Sequence, residues 1–383
     1  MKYKSFDIPS SVRFSDHCYI VKINSICSST TPKLVTHPLI PTMAVGRYHE
    51  VYAHPNGPGD ARPTALQIIK DEGLEGKMTD KVMFVTGASS GIGIETTRAL
   101  HATGATIFIG VRNVKKGQEV VDEILASDPS NTAPIHIIEM SLDSFASVRT
   151  AAAEFLKHGN KLNVLVLNAG VMATPEGRTV DGLETQFGTN HLGHFLLFQL
   201  LKPALLASST SEFNSRVVSV ASIGHRFGTI RFHDYSFEKD SYHPMAAYGQ
   251  SKTANIYLAN YIDRHYGLKG LHAISLHPGG IWSDLTRHMG DEELEQWKGL
   301  PNTNSYYKSP AQGAATSVYA AVSKEWEGTG GKYLSNCEVM GPFKGAIGEV
   351  GLGDDGYAPW AYNEENEDRL WSDSCKLVGV EED

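Results

Sequence analysis

From Lys81 onward the chain alternates short apolar runs with longer segments of helical length. KVMFVTG, ATIFIGV, PIHIIEM, NVLVLNAG, RVVSV and LHAISLHPGG read as strands, whereas GIETTRALHA and SFASVRTAAAEFLKHG read as helices between them. Strands separated by helices of this length predict an α/β fold: a doubly wound, mainly parallel sheet with helices on both faces. The most apolar stretch, HLGHFLLFQLLKPALLASS, is interrupted by His194, Gln199 and Lys202 and reads as a buried helix of a soluble fold, not a membrane span. Residues 1–60 mix serine, threonine and proline with short apolar runs and close on HPNGPGD, whose Pro and Gly density marks a loop or linker. The expected organisation is an N-terminal extension over 1–60, then one domain with a C-terminal extension over 61–383.

Composition narrows the function. The chain has 383 residues, 41% of them hydrophobic, enough for a substantial core. Its 34 basic and 43 acidic residues give a net charge of −9, which disfavours a nucleic-acid binder because phosphate contacts require positive charge. Cys18, Cys27, Cys337 and Cys375 form no close pair at metal-site spacing, so no metal is expected, and a reducing, cytoplasmic setting fits best. Monomer and homodimer both remain open.

The first chemical signal is VTGASSGIG, which follows a strand and opens a helix. Gly87, Gly91 and Gly93 permit a tight turn and close backbone approach to a pyrophosphate, with the amides at the helix N-terminus, including that of Ile92, facing the anion. Ser89 and Ser90 either donate to phosphate or cap the helix. Arg112 follows the second strand where the adenosine ribose of a dinucleotide would lie; an arginine there suits a 2′-phosphate and favours NADP(H) over NAD(H). Lys115 and Lys116 add charge nearby or simply face solvent.

The second signal is AAYGQSK, which sets Tyr248 and Lys252 one turn apart on a helix face. Taken alone this is ordinary packing, as Ser222 alone is a small strand-end residue, Asn190 a helix residue and Asn168 a turn former. Taken together, TGASSGIG, Asn168-Ala169-Gly170, Asn190 in TNHLGHF, Ser222 in RVVSVAS, Tyr248 to Lys252 and Pro278-Gly279 resemble the classical short-chain dehydrogenase/reductase family over about residues 75–340. Finer details, among them AAYGQSKTAN, HPGGI and GGKYL, resemble its retinol-dehydrogenase-like and WW-domain-oxidoreductase-like members, without a WW module. The resemblance implies a Rossmann-type sheet and hydride exchange at nicotinamide C4, with Tyr248 exchanging a proton with the substrate oxygen. It further implies that Lys252 favours the phenolate and binds the nicotinamide ribose, that Ser222 orients the substrate oxygen, and that Asn190 holds a water in the proton path. Asn168, Ala169 and Gly170 would support the cofactor pocket, with Pro278, Gly279 and Ile281 beside the nicotinamide carboxamide and Ser283 offering a hydroxyl.

Three positions depart from the family pattern. Ser141 stands where an aspartate usually meets the adenine, with Asp143 two residues later; Ala221 replaces the first serine of a common pair; and Ser283 replaces a threonine. The polar interval between Ser222 and Tyr248, and Trp282, Trp297, Tyr306 and Tyr307 farther on, suggest pocket walls suited to a lipophilic carbonyl or alcohol. Two other classes stay open: a catalytically inactive dinucleotide-binding regulator, and a structural or interaction protein using the N-terminal residues.

Overall fold

A computed structural model describes residues 46–346 and 350–382, within the unit Val45–Asp383. Of the expected N-terminal extension, residues 1–45 lie outside the described residues.

Eight strands form one sheet in the order β3-β2-β1-β4-β5-β6-β7-β8. They are β1 (Val82–Thr86), β2 (Thr106–Val111), β3 (Ile135–Glu139), β4 (Val164–Leu167), β5 (Ser215–Val220), β6 (Leu271–His277), β7 (Lys332–Ser335) and β8 (Glu338–Val339). β1 to β7 are parallel, and β8 returns antiparallel to β7. The first six coincide with the apolar runs; β7 (KYLS) is flanked by polar ends and β8 has only two residues, so neither forms one.

Side chains alternate across the sheet as strand geometry requires. Phe84, Leu165, Leu167 and Val217 meet the helices Phe145–Lys157, Gly193–Ser208 and Pro244–Tyr266. Met83, Val85, Val164 and Val166 meet Ala65–Asp71, Ile92–Ala102 and Ala315–Val322 on the opposite face. Helix starts follow local chemistry: Asn113 and Ser144 accept from the backbone three residues on, and Pro244 occupies the first turn of the helix that carries Tyr248. Among the described residues no helix is long and apolar enough to cross a membrane.

Both ends of the described chain pack on this sheet's helices. Tyr48 is buried edge-on to Tyr319 at 6.2 Å, and its hydroxyl donates to Asp71 at 2.9 Å. Asp60 accepts from Arg62 Nε at 2.9 Å, while the Arg62 guanidinium donates to the carbonyls of Tyr306 and Tyr307, each at 2.7 Å. At the other end, helix Glu364–Val378 lays Trp371 on Tyr261 (3.9 Å between ring centres) and edge-on to Phe195 at 5.0 Å.

Candidate active site

The strand order reverses between β1 and β4, which leaves a crevice beyond their carboxyl ends. A cavity of about 1200 Å³ opens there and runs along the ends of β1 to β6. Gly87 leaves β1 at φ 69°, and a Cβ on it would stand 2.7 Å from Ala169 Cα. Gly91 begins the Ile92–Ala102 helix at φ 57° with no side-chain cap, so Ser89 and Ser90 border the cavity without capping that helix. Gly93 sits behind the turn, where a Cβ would fall 2.2 Å from the Gly87 carbonyl oxygen. Asn168 and Ala169 donate their backbone amides to Thr86 Oγ1 at 2.9 and 3.0 Å, locking the two turns together.

Arg112, exposed just past β2, borders one end of the cavity, as does Lys116; Lys115 does not. Past β3, Ser141 and Asp143 both border it, and Ser141 Oγ donates to the Asp143 carboxylate. The fold therefore brings the displaced carboxylate to the serine that occupies the expected aspartate position.

At the other end, Ser222 leaves β5 and its Oγ accepts from Gly224 N at 2.9 Å. Tyr248 is buried beside it; a Cβ on Gly224 would lie 2.6 Å from the Tyr248 ring and 3.2 Å from Ser222 Oγ, so only glycine admits the tyrosine here. Lys252 Nζ donates to the Val220 carbonyl at 2.9 Å. Burial pushes the Tyr248 phenol up to about 12, against a smaller downward pull from Ser222, and pushes the Lys252 ammonium down to about 7. Burial thus sets both groups against their charged forms, an effect invisible in a one-turn spacing.

Asn190 does not border the cavity. It lies behind Gly170 in a one-turn π-helix, Gly188–Leu192, its side chain accepting from Val171 N at 2.8 Å and donating to Val171 O and Ser251 Oγ, each at 2.9 Å. Its carbonyl accepts from His194 Nδ1 at 2.9 Å; the proton on Nδ1 leaves Nε2 to accept from Thr86 Oγ1, also at 2.9 Å. The four-residue step from Asn190 to His194 was a legible signal for this contact.

Ala169, Gly170, Pro278, Gly279, Ile281 and Ser283 border the cavity with Ser222, Tyr248 and Lys252. Its apolar wall beside Tyr248 holds Met172, Met245, Leu285 and Trp297. Of the aromatic residues singled out from the sequence, Trp297, Tyr306 and Tyr307 reach the cavity, while Trp282 stacks behind Tyr307 at 4.1 Å. The polar interval after Ser222 contributes only its ends, Ile223, Gly224 and Phe227 at one and Met245 at the other; its centre folds on itself, with Asp234 accepting from the amides of Glu238, Lys239 and Asp240. Leu352, from the C-terminal extension, completes a wall that no local motif announces.

The short chain dehydrogenase family model matches residues 81–294. The short-chain dehydrogenase/reductase prx1 of Penicillium roqueforti is 48% identical over 337 residues, covering 88% of this chain and 96% of that protein. Retinol dehydrogenase 12 of mouse is 37% identical, covering 79% of this chain and 87% of its own length. Among solved structures, an uncharacterized protein from Mycobacterium paratuberculosis matches with TM-score 0.57 and 30% identity, covering 79% of this chain and 94% of that one.

Proposed function

Because this chain belongs to the short-chain dehydrogenase/reductase family, an oxidoreductase family that uses NAD(P)(H), we propose that it interconverts a carbonyl and an alcohol on a lipophilic small molecule with NADP(H). The observation that carries this reading is the convergence of Ser222, Tyr248 and Lys252 on a cavity whose other end meets Arg112.

The residues present fit a dinucleotide. The uncapped amides of the Ile92–Ala102 helix and the glycine turn before it suit a pyrophosphate, and Arg112 suits a 2′-phosphate. Asn168 to Gly170, Pro278 to Ile281 and Ser283 would flank the nicotinamide half. When bound, the coenzyme supplies or accepts a hydride at nicotinamide C4. Tyr248 donates its phenolic proton to the substrate oxygen during reduction and recovers it in the reverse direction, while Ser222 holds that oxygen. A phenol pushed up to about 12 stays protonated at neutral pH, the form that carbonyl reduction needs. Lys252 would donate to the nicotinamide ribose. The family resemblance would give Asn190 a water in the proton path; its side chain is bonded to Val171 and Ser251 and its carbonyl to His194.

A lipophilic substrate is supported by Met172, Met245, Leu285 and Trp297 beside Tyr248; one relative is named for retinol. Initial rates with NADPH and a panel of apolar aldehydes and ketones test the reading, with coenzyme binding measured separately. Turnover on the apolar members is expected. Tight binding without turnover on any of them would favour a dinucleotide-binding regulator instead.

A further inference from the structure

The cavity wall at Pro278 is backed by a buried polar chain that ends on a residue outside every motif. His277, the last residue of β6, accepts from Ile223 N through Nδ1 at 3.3 Å, so in the neutral ring Nε2 carries the proton and donates to Tyr306 Oη at 3.0 Å. Tyr306 in turn donates to Asp355 Oδ1 at 2.8 Å. The other carboxylate oxygen accepts from Ser335 Oγ at 2.7 Å and Asn336 Nδ2 at 3.1 Å. Lys308 closes the circuit, donating to Asn336 Oδ1 at 2.8 Å and to the Pro278 carbonyl at 3.2 Å. The turn is pressed onto this lysine: Gly279 has φ 103°, and a Cβ on it would stand 2.7 Å from Lys308 Nζ.

Asp355 is 4% exposed and Lys308 2%. A carboxylate so far from water is tolerated only when its oxygens are hydrogen-bonded and its charge is balanced, and here three donors and a buried lysine in the same circuit do both. Burial opposes the Asp355 charge, while the Lys308 ammonium and the hydrogen bonds from Ser335 and Tyr306 favour it. Donors aligned in one direction polarise one another, so the chain from Ile223 through His277 and Tyr306 is fixed from its carboxylate end. It joins three parts of the cavity: the turn after Ser222, the Pro278 turn, and Tyr306. His277, Pro278, Gly279 and Tyr306 border the cavity, and Asp355 does not.

We propose that Asp355 is a positioning residue for the turn Pro278–Ile281, acting through Tyr306, His277 and Lys308 to hold that turn against the nicotinamide half of the coenzyme. This rests on the coenzyme reading above. The test measures binding of NADPH and of its adenosine-half fragment, 2′,5′-ADP, to wild type, Asp355→Asn and Tyr306→Phe by calorimetry, with folding checked by circular dichroism. Asp355→Asn should weaken NADPH about tenfold and leave 2′,5′-ADP within about twofold, because the adenosine contacts lie at the other end of the cavity. Tyr306→Phe, which retains the ring, should shift the same ratio in the same direction. Equal loss of both ligands, or no change for NADPH in the folded variants, would overturn the proposal and leave the coenzyme reading standing. Wild type that binds NADPH no more tightly than the fragment would instead overturn the nicotinamide reading and this proposal with it.

Discussion

Lys252 Nζ lies 5.6 Å from the centre of the Tyr248 ring and donates to the Val220 carbonyl, so the helix Pro244–Tyr266 presents phenol and ammonium together at the end of β5. Both side chains are buried, and the first consequence of that burial is a protonated phenol and a lysine whose charge changes near neutrality.

Tyr248→Phe keeps the ring that fills the space beside Gly224 and removes only the oxygen. The variant should fold and bind NADPH, while turnover of a reactive carbonyl falls about 10²- to 10⁴-fold, the scale of general acid catalysis. Steady-state rates at saturating coenzyme decide it: near-wild-type turnover by the folded variant would sink the mechanism.

The Lys252 ammonium, lowered from 10.5 to about 7, gives a signed pH dependence. Between those values the unfolded chain holds a proton that the folded chain has released, so this group makes stability rise as pH climbs through the interval. Melting temperatures of wild type and Lys252→Met, compared across pH 7 to 9 (about the lower half of that window), should show wild type gaining on the variant. A difference that stays flat or reverses would contradict the burial argument.

Arg112 stands exposed past β2 with its guanidinium free to meet a phosphate dianion. Arg112→Ala should lower NADPH affinity by roughly 10- to 100-fold, the worth of a charge-assisted pair, and leave NADH nearly unchanged. Titration of both coenzymes against both proteins checks this, and equal wild-type affinities would defeat the NADP assignment.

A chain beginning at Met43 retains Tyr48 against Tyr319 and the Asp60 contacts to Arg62 and Gln312, and should fold and bind coenzyme. One beginning at Ala61 loses all of them and leaves Arg62, which holds the Tyr306 and Tyr307 carbonyls, without its carboxylate partner. Its melting temperature should fall below that of the Met43 chain; equal melting would show that these contacts contribute nothing.

Trp371 is 2% exposed and packs on Tyr261, Phe195 and Phe198. Trp371→Ala should destabilise the domain by about 3–5 kcal/mol, as large-to-small changes in a core do, without altering coenzyme preference. Denaturant unfolding measures the first effect and coenzyme titration the second.

The sheet and the two chemical ends were legible in the chain because their causes are local. A strand of five residues between turn formers, glycines where φ is positive, and a proline in the first turn of a helix are requirements of neighbouring backbone, so KVMFVTGASSGIG and PMAAYGQSK carry them in plain view. What could not be read locally depends on residues distant in the chain meeting. Asp355 receives Tyr306 and Ser335 only because β7, the segment that carries Tyr306 and the C-terminal extension converge. The protonation of Tyr248 belongs to the same class: spacing placed a lysine beside it, but burial by the assembled cavity walls set the phenol's pKa, because desolvation is a property of the whole packed site and not of any one segment.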